Sequence, residues 1–334
     1  MSIQKRFSKF LRSSEFIVLV ILALVMTAFY ILNPTFLTRR NMFDLLRTMI
    51  VTGIFACGVM MVIISGGIDM SFMTIAICSA YITIRFSIAN APGMPFVALA
   101  LMSMVIGVIL GMGNAFLVNT FEMPIFIATL SLSTTIRGLM LAFVGNEYIP
   151  SPDMPPATIA FSKMYCFNTV DASGSTFGLH FSVFIMLGVM VITHLIMRHT
   201  IIGRGIYALG GDSVSASRIG YNIKRVRMFL YGYAGCLADL GGLIYVSNNR
   251  MADPMSFQGE ELTVIAAAVL GGTSISGGRG TVLGVFLGLM LTNVINNNLV
   301  IIGIDSYWQK FTFGLLVIIA VVIQSIRAKR AAKM

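Results

Sequence analysis

Long apolar blocks alternate along this chain with short polar or turn-forming segments. Ten blocks are legible, at about 16–32, 46–65, 70–88, 95–118, 124–143, 179–197, 228–247, 261–275, 281–301 and 308–326. Most reach the roughly 20 apolar residues that an α-helix needs to cross a bilayer. They run unbroken, without the in-out alternation of a barrel strand. The pattern predicts an all-α, polytopic transmembrane helix bundle of about ten spans, forming one domain over 1–334. The first block is followed by Asn33-Pro34 and no small-residue cleavage site, so it reads as a retained span, not a signal peptide.

Two connections stand out by length. The stretch 145–178 carries Pro150, Pro152, Pro155 and Pro156 and is predicted to be an irregular external loop. The stretch 198–227 is polar and is the largest cytoplasmic element. Within it, Asp212 is a good helix N-cap and Gly220 a good stop, framing a helix of about seven residues from Ser213 to Ile219. So short a helix is marginal alone and calls for a partner to dock against.

Composition narrows the class. Only 11% of the residues are charged and 57% are apolar, against about 25% charged in a soluble domain. That excludes a soluble, a disordered and a disulfide-rich secreted chain. The net charge of +10 is explained by position, since basic residues gather on the cytoplasmic side of membrane proteins and meet anionic lipid there. With the N-terminus inside, that side holds Lys5, Arg6, Lys9, Arg12, Arg198, Arg204, Arg218, Lys224, Arg225, Arg227, Arg279, Arg327, Lys329, Arg330 and Lys333, most of the 23 basic residues. Both termini are therefore expected in the cytoplasm, and no nucleic-acid partner is implied. Arg39-Arg40, on the outer side, runs against the rule.

Catalytic and metal chemistry finds no support. Cys57, Cys78, Cys166 and Cys236 form no CxxC pair, and three of them lie in apolar blocks as packing residues. His194 and His199 are not spaced to share a metal, and His180 stands at the far end of the same span. The glycine-rich run Gly271-Gly272-Thr273-Ser274-Ile275-Ser276-Gly277-Gly278-Arg279-Gly280 lacks the Lys of a P-loop. It is expected to form a tight cytoplasmic turn between close-packed helices. Small residues at four-residue spacing, Gly107 and Gly111, then Ala234, Ala238 and Gly242, then Gly280, Gly284 and Gly288, predict close helix approach within the chain rather than a dimer seam.

Two charges fall at similar depth inside the blocks, Arg137 and Asp239. They are either an ion pair that offsets the cost of burial, or part of a polar passage with Asn293, Asn296, Asn297 and Asn298.

Several ordered motifs carry a family resemblance. They are Gly66-Gly67-Ile68-Asp69-Met70-Ser71, Arg137-Gly138, the loop around Asp212, Glu261-Leu262 through Val269-Leu270-Gly271-Gly272-Thr273-Ser274, Ser276-Gly277-Gly278-Arg279-Gly280, and Ser306-Tyr307-Trp308-Gln309. From about residue 40 to 326 the chain resembles the membrane permeases of ribose-type sugar ABC importers, a family that includes branched-chain amino-acid permeases. It departs from that family at Asp212, where Asn is usual, at Phe72-Met73, where Val-Gly is usual, and at Asp239, where a small apolar residue is usual.

The resemblance implies a permease subunit of the bacterial inner membrane that binds no cofactor itself. ATP is used by a separate cytoplasmic ATPase, which would push on a coupling segment comprising Gly210, Gly211, Asp212, Ser213, Ala216, Arg218 and Gly220. It also implies a second permease subunit and a periplasmic binding protein delivering a sugar or polyol. Arg250, Asp253, Glu260 and Glu261 are candidates for docking that protein. A branched-chain amino-acid or nucleoside permease of the same family is the nearest alternative. A secondary transporter and an intramembrane enzyme are weaker ones.

Overall fold

A computed structural model describes residues 14–170, 176–301 and isolated positions from 308 to 322. Apart from those positions, the tenth block lies outside the described residues. So do the basic clusters at both ends of the chain, and Ser306, Tyr307 and Gln309.

The described chain is a helix bundle. Its long helices are α1 (Ser14–Leu32), α2 (Arg39–Ile64), α3 (Phe72–Asn90), α4 (Phe96–Thr120) and α5 (Ile125–Leu139), the last continued by a π-helical turn over Met140–Val144. A short α6 (Pro156–Phe161) and a hairpin, β1 (Tyr165–Val170) with β2 (Thr176–His180), precede α7 (Ser182–His199). Then follow α8 (Ile201–Gly211), α9 (Ser213–Arg218), α10 (Ile223–Asn249), α11 (Glu261–Leu270) and α12 (Val282–Ile301). Among the described residues, seven helices are long and apolar enough to cross a membrane: α1 to α4, α5 with its π turn, α7 and α10. The eighth block is shorter than its sequence suggests, because α11 ends at Leu270 where the glycine run begins.

Helix α10 is the centre of the bundle and packs against α4, α2 and α3. Helices α1 and α12 pair at one flank around Leu22, Phe29, Leu291 and Val294. The small-residue rows work inside the chain, as expected. A Cβ on Gly111 would collide with the Tyr231 carbonyl, one on Gly242 with the Ala76 carbonyl, and one on Gly288 with the Ala267 carbonyl. Helix α4 shows what solvent it faces. Its buried positions include Ser103, Gly107, Gly111 and Asn114, while Val97, Leu101, Val105, Ile109 and Phe116 are exposed. Small and polar inside with large and apolar outside is the arrangement of a helix packed in lipid.

The stretch 145–178 is not the irregular loop that its prolines predict. Pro155 and Pro156 open α6, where fixed φ and a missing N–H cost nothing. Cys166 pairs with Leu179 and Thr169 with Phe177 in the hairpin. Further ties hold this region to the bundle: Tyr81 donates to the Glu147 carbonyl at 2.9 Å, Arg85 pairs with Glu147 at 3.0 Å, and Ile149 bridges Ala252. Arg39 and Arg40 stand at the start of α2, at the same end as the hairpin. There Arg40, Asp44 and Arg47 face Tyr165 and Phe177, so an acid and aromatic rings accompany the cations that break the charge rule.

Candidate functional site

The connection 198–227 is built by three successive N-caps. Thr200 accepts from the Gly203 N–H at 3.0 Å, Asp212 from Val214 at 3.1 Å and Ser215 at 3.2 Å, and Asn222 from Arg225 at 3.0 Å. Each supplies an acceptor to otherwise orphaned N–H groups and starts a helix, giving α8, α9 and α10 in turn. The expected helix after Asp212 is therefore present, one residue shorter, as α9. Gly220, at φ +97°, makes the stop. What the sequence reading missed is α8. Its buried Gly203, Gly205, Ile206 and Leu209 seat it against α2, α7 and α10, so this stretch is not a polar loop throughout. Thr200 and Asn222, each just before a run of helical periodicity, were the available signals.

Asp212 is fully exposed. The Ser215 hydroxyl, followed by the Val214 and Ser215 backbone N–H groups, holds its carboxyl below the ordinary carboxylate range. It is a charged cap at every ordinary pH. Helix α9 buries Ala216 but presents Val214 to the outside, as its C-cap presents Ile219, 56% and 72% exposed. Beside it runs a groove of about 760 Å³ between the α4–α5 turn, with Asn119 and Glu122, and Ser213, Arg218, Lys224 and Arg227.

Helix α8 is fastened to the bundle through main chain. Gly210 abuts the Ile64 carbonyl at the end of α2, and a Cβ there would overlap that oxygen and lie 2.7 Å from the Gly278 nitrogen. The Gly278 N–H donates to the same Ile64 carbonyl at 2.8 Å. Tyr207 donates to the Gly280 carbonyl at 2.7 Å. Gly277 and Gly278, at φ +82° and +73°, take the left-handed conformation that lets the glycine run pass this close. The run is thus the tight turn expected of it, and it meets a second turn, 65–71, through Ile64. That second turn is held by side chains from two helices: Asp69 accepts from the Ser71 N–H and hydroxyl, Asn114 of α4 donates to the Ser71 hydroxyl at 2.6 Å, and the Met70 N–H donates to Thr129 of α5 at 3.1 Å.

The residues proposed for a passage do not share one surface. Arg137 donates through Nη2 to Thr74 at 3.2 Å, and Thr74 is hydrogen-bonded to Ser133 at 2.7 Å. Asp239 is wholly buried against Gly107 of α4, where a Cβ would overlap its Oδ2. No ion pair joins Arg137 and Asp239, and neither carboxylate oxygen has a well-formed hydrogen bond. The paired reading fails because Arg137 spends its Nη2 on Thr74 and both Asp239 oxygens are left without a partner. Asn293 and Asn298 bond back to their own helix, to Leu289 and Val294, and Asn297 donates to Thr48 at 3.0 Å. Together with Asn296 these sit on α12, whose main neighbours are α1, α2 and α11. Of the docking candidates, Arg250 is engaged with Ser162 at 2.8 Å, Asp253 caps the Met255 N–H at 2.9 Å, and Glu261 lines a cleft with Arg137 and Ser133 instead of an outer docking face.

The arrangement is that of a multi-pass membrane permease with a short capped helix displayed at one end and anchored into two glycine turns. The family described as branched-chain amino acid transport system / permease component matches residues 41–321. The chain belongs to this family and is the permease subunit of an ATP-binding-cassette importer. It is similar to the ribose import permease protein of Bacillus subtilis strain 168, at 34% identity over 92% of this chain and 91% of that one. It is also similar to the ribose import permease protein and the D-allose transport system permease protein of Escherichia coli strain K12, each at 30% identity over 92% of this chain and 91% of the relative. No solved structure matches it.

Proposed function

We propose that this subunit carries a sugar, of the pentose or hexose size that its ribose and allose relatives are named for, across the bacterial inner membrane. The α8–α9 end faces the cytoplasm and both termini lie there, while the hairpin end faces a binding protein that delivers the sugar. A cytoplasmic ATPase seats α9, and two permease subunits frame the passage. The ATP is spent by that partner, and this chain holds no cofactor of its own.

The observation that carries this reading is the junction of Gly210, Ile64 and Gly278. Helix α9 is capped and exposed, so a partner can grip it, and α8 is locked by main-chain contacts to the turns that end α2 and precede α12. Displacement of α9 is thereby transmitted to the spans with little slack, since packed interfaces resist continuous deformation. Closure of the ATPases would switch the bundle between outward- and inward-open forms.

The test is reconstitution in vesicles with the ATPase and binding protein, supplied with a panel of pentoses, hexoses, polyols and branched-chain amino acids. ATP-dependent uptake of a sugar supports the reading. Uptake driven by an ion gradient without any ATPase, or uptake of amino acids alone, sinks it.

A further inference from the structure

A cleft of about 400 Å³ opens between α3, α5 and the start of α11, lined by Thr74, Ser133, Arg137, Gln258 and Glu261 among others. We infer that it is a way-station for the sugar, in which Arg137 and Glu261 hold neighbouring hydroxyls of one ring from two sides. This rests on the reading of the chain as a sugar permease and says where in it the sugar binds.

Three independent features point to a ligand. Arg137 is anchored by one guanidinium nitrogen on Thr74, but its Nη1 is buried with no partner among the described residues. A buried donor left unmatched is costly, and here it belongs to a residue lining the cleft. Ser133 is hydrogen-bonded to Thr74 at 2.7 Å, so two linked hydroxyls adjoin the guanidinium in the wall. Directly after Arg137-Gly138, α5 changes to a π-helical turn that includes Leu141 of the cleft wall. Such turns cost helix stability and are frequent at functional sites.

The lining also selects the class of ligand. Glu261 shares the cleft with Arg137, and the two form no ion pair, so each remains available on its own account. A carboxylate in the wall repels an anion, which argues against phosphates. A branched-chain amino acid could use both charges at its backbone but needs an apolar pocket, and Leu141 is the one large apolar side chain in the lining. A neutral ring bearing several hydroxyls is both donor and acceptor and matches guanidinium, carboxylate, hydroxyl and amide together. The volume is within the range of small-molecule sites.

The decisive experiment uses the complete complex in vesicles and measures sugar delivered per ATP hydrolysed for wild type, Glu261→Gln, Ser133→Ala and Arg137→Gln. Loss of one hydrogen bond to a charged group should lower delivery about tenfold while ATP hydrolysis stimulated by the loaded binding protein changes by less than about twofold. With one binding protein throughout, wild type should discriminate between the sugar and its monodeoxy analogues more strongly than the variants do. Where Arg137→Gln fails to fold, Glu261→Gln on the rim and Ser133→Ala decide. Unchanged delivery and discrimination in both overturns the inference, as does a parallel fall of transport and ATP hydrolysis, which marks a structural role. A wild-type complex that moves no sugar fails at the earlier reading, before any variant is compared.

Discussion

At the scale of single residues, the contact of Asp239 with Gly107 is the sharpest constraint in the bundle. The carboxyl occupies the volume that any side chain at 107 would need. Gly107→Ala is expected to cost about 1–3 kcal/mol by overpacking, read as a lower unfolding midpoint of the purified protein. Asp239→Ala should recover part of that loss in the double variant, although the Gly235 carbonyl stays 2.6 Å from the new methyl. Additive losses would show that the two positions do not meet. His180, at the hairpin's end, gives a pH dependence. Burial first, then the nearby Arg47, lowers its pKa below the ordinary value of 6.5, and its Nδ1 accepts from the Ser182 N–H at 3.2 Å. The folded form therefore holds the neutral ring. Its contribution is complete above pH 6.5 and is lost as pH falls through the lower, folded value. Hydrogen exchange around 176–184 should accelerate on acidification in the wild type and not in His180→Gln.

At the scale of elements, Asp212 and the two glycines that end α8 just before it make a graded set. Asp212→Ala removes the acceptor for two backbone N–H groups and should cut ATP-driven uptake several-fold, whereas Asp212→Asn keeps a cap and most of the activity. Gly210→Ala drives a methyl into the Ile64 carbonyl and should be damaging, at about 1–3 kcal/mol or more. Gly211→Ala, one residue on, meets nothing within 4 Å and should be silent. Equal behaviour of the two alanines would refute the junction.

The same elements show what the sequence could reveal. The long spans were legible because an uninterrupted apolar block has few other uses. The helix after Asp212 was legible because a cap and a glycine stop are local signals. Helix α8 was not, since Gly203-Arg204-Gly205 reads as loop and only tertiary packing on α2 and α10 makes it a helix. The hairpin was hidden likewise, by the prolines and serines around it. Depth counting placed Arg137 and Asp239 level but says nothing of the partners each side chain takes, and Arg137 takes Thr74 instead. The cleft of Arg137 brings together Ser133 and Glu261, far apart in sequence, and no spacing rule announces that.

At the scale of the whole molecule, the two ends of the bundle are built differently. One end is a folded cap, in which the hairpin is tied to α2 by the ring contacts of Arg47 with Tyr165 and of Phe43 with Phe177, and α6 packs against α10 and α4. The other displays α9 on a main-chain junction. Apart from the Tyr207 hydroxyl on the Gly280 carbonyl, that junction is main chain: its parts are the Ile64 carbonyl, the Gly278 nitrogen and the bare Cα of Gly210. A joint of this kind has little to tune and little to lose as neighbouring residues diverge. On the proposed coupling role, a partner would read the few side chains of α9 and its C-cap, Val214 and Ile219 foremost, with the groove beside them. The transmission is thus generic and the handle is particular, so motors could be exchanged between such permeases by regrafting a six-residue helix and leaving the lever untouched.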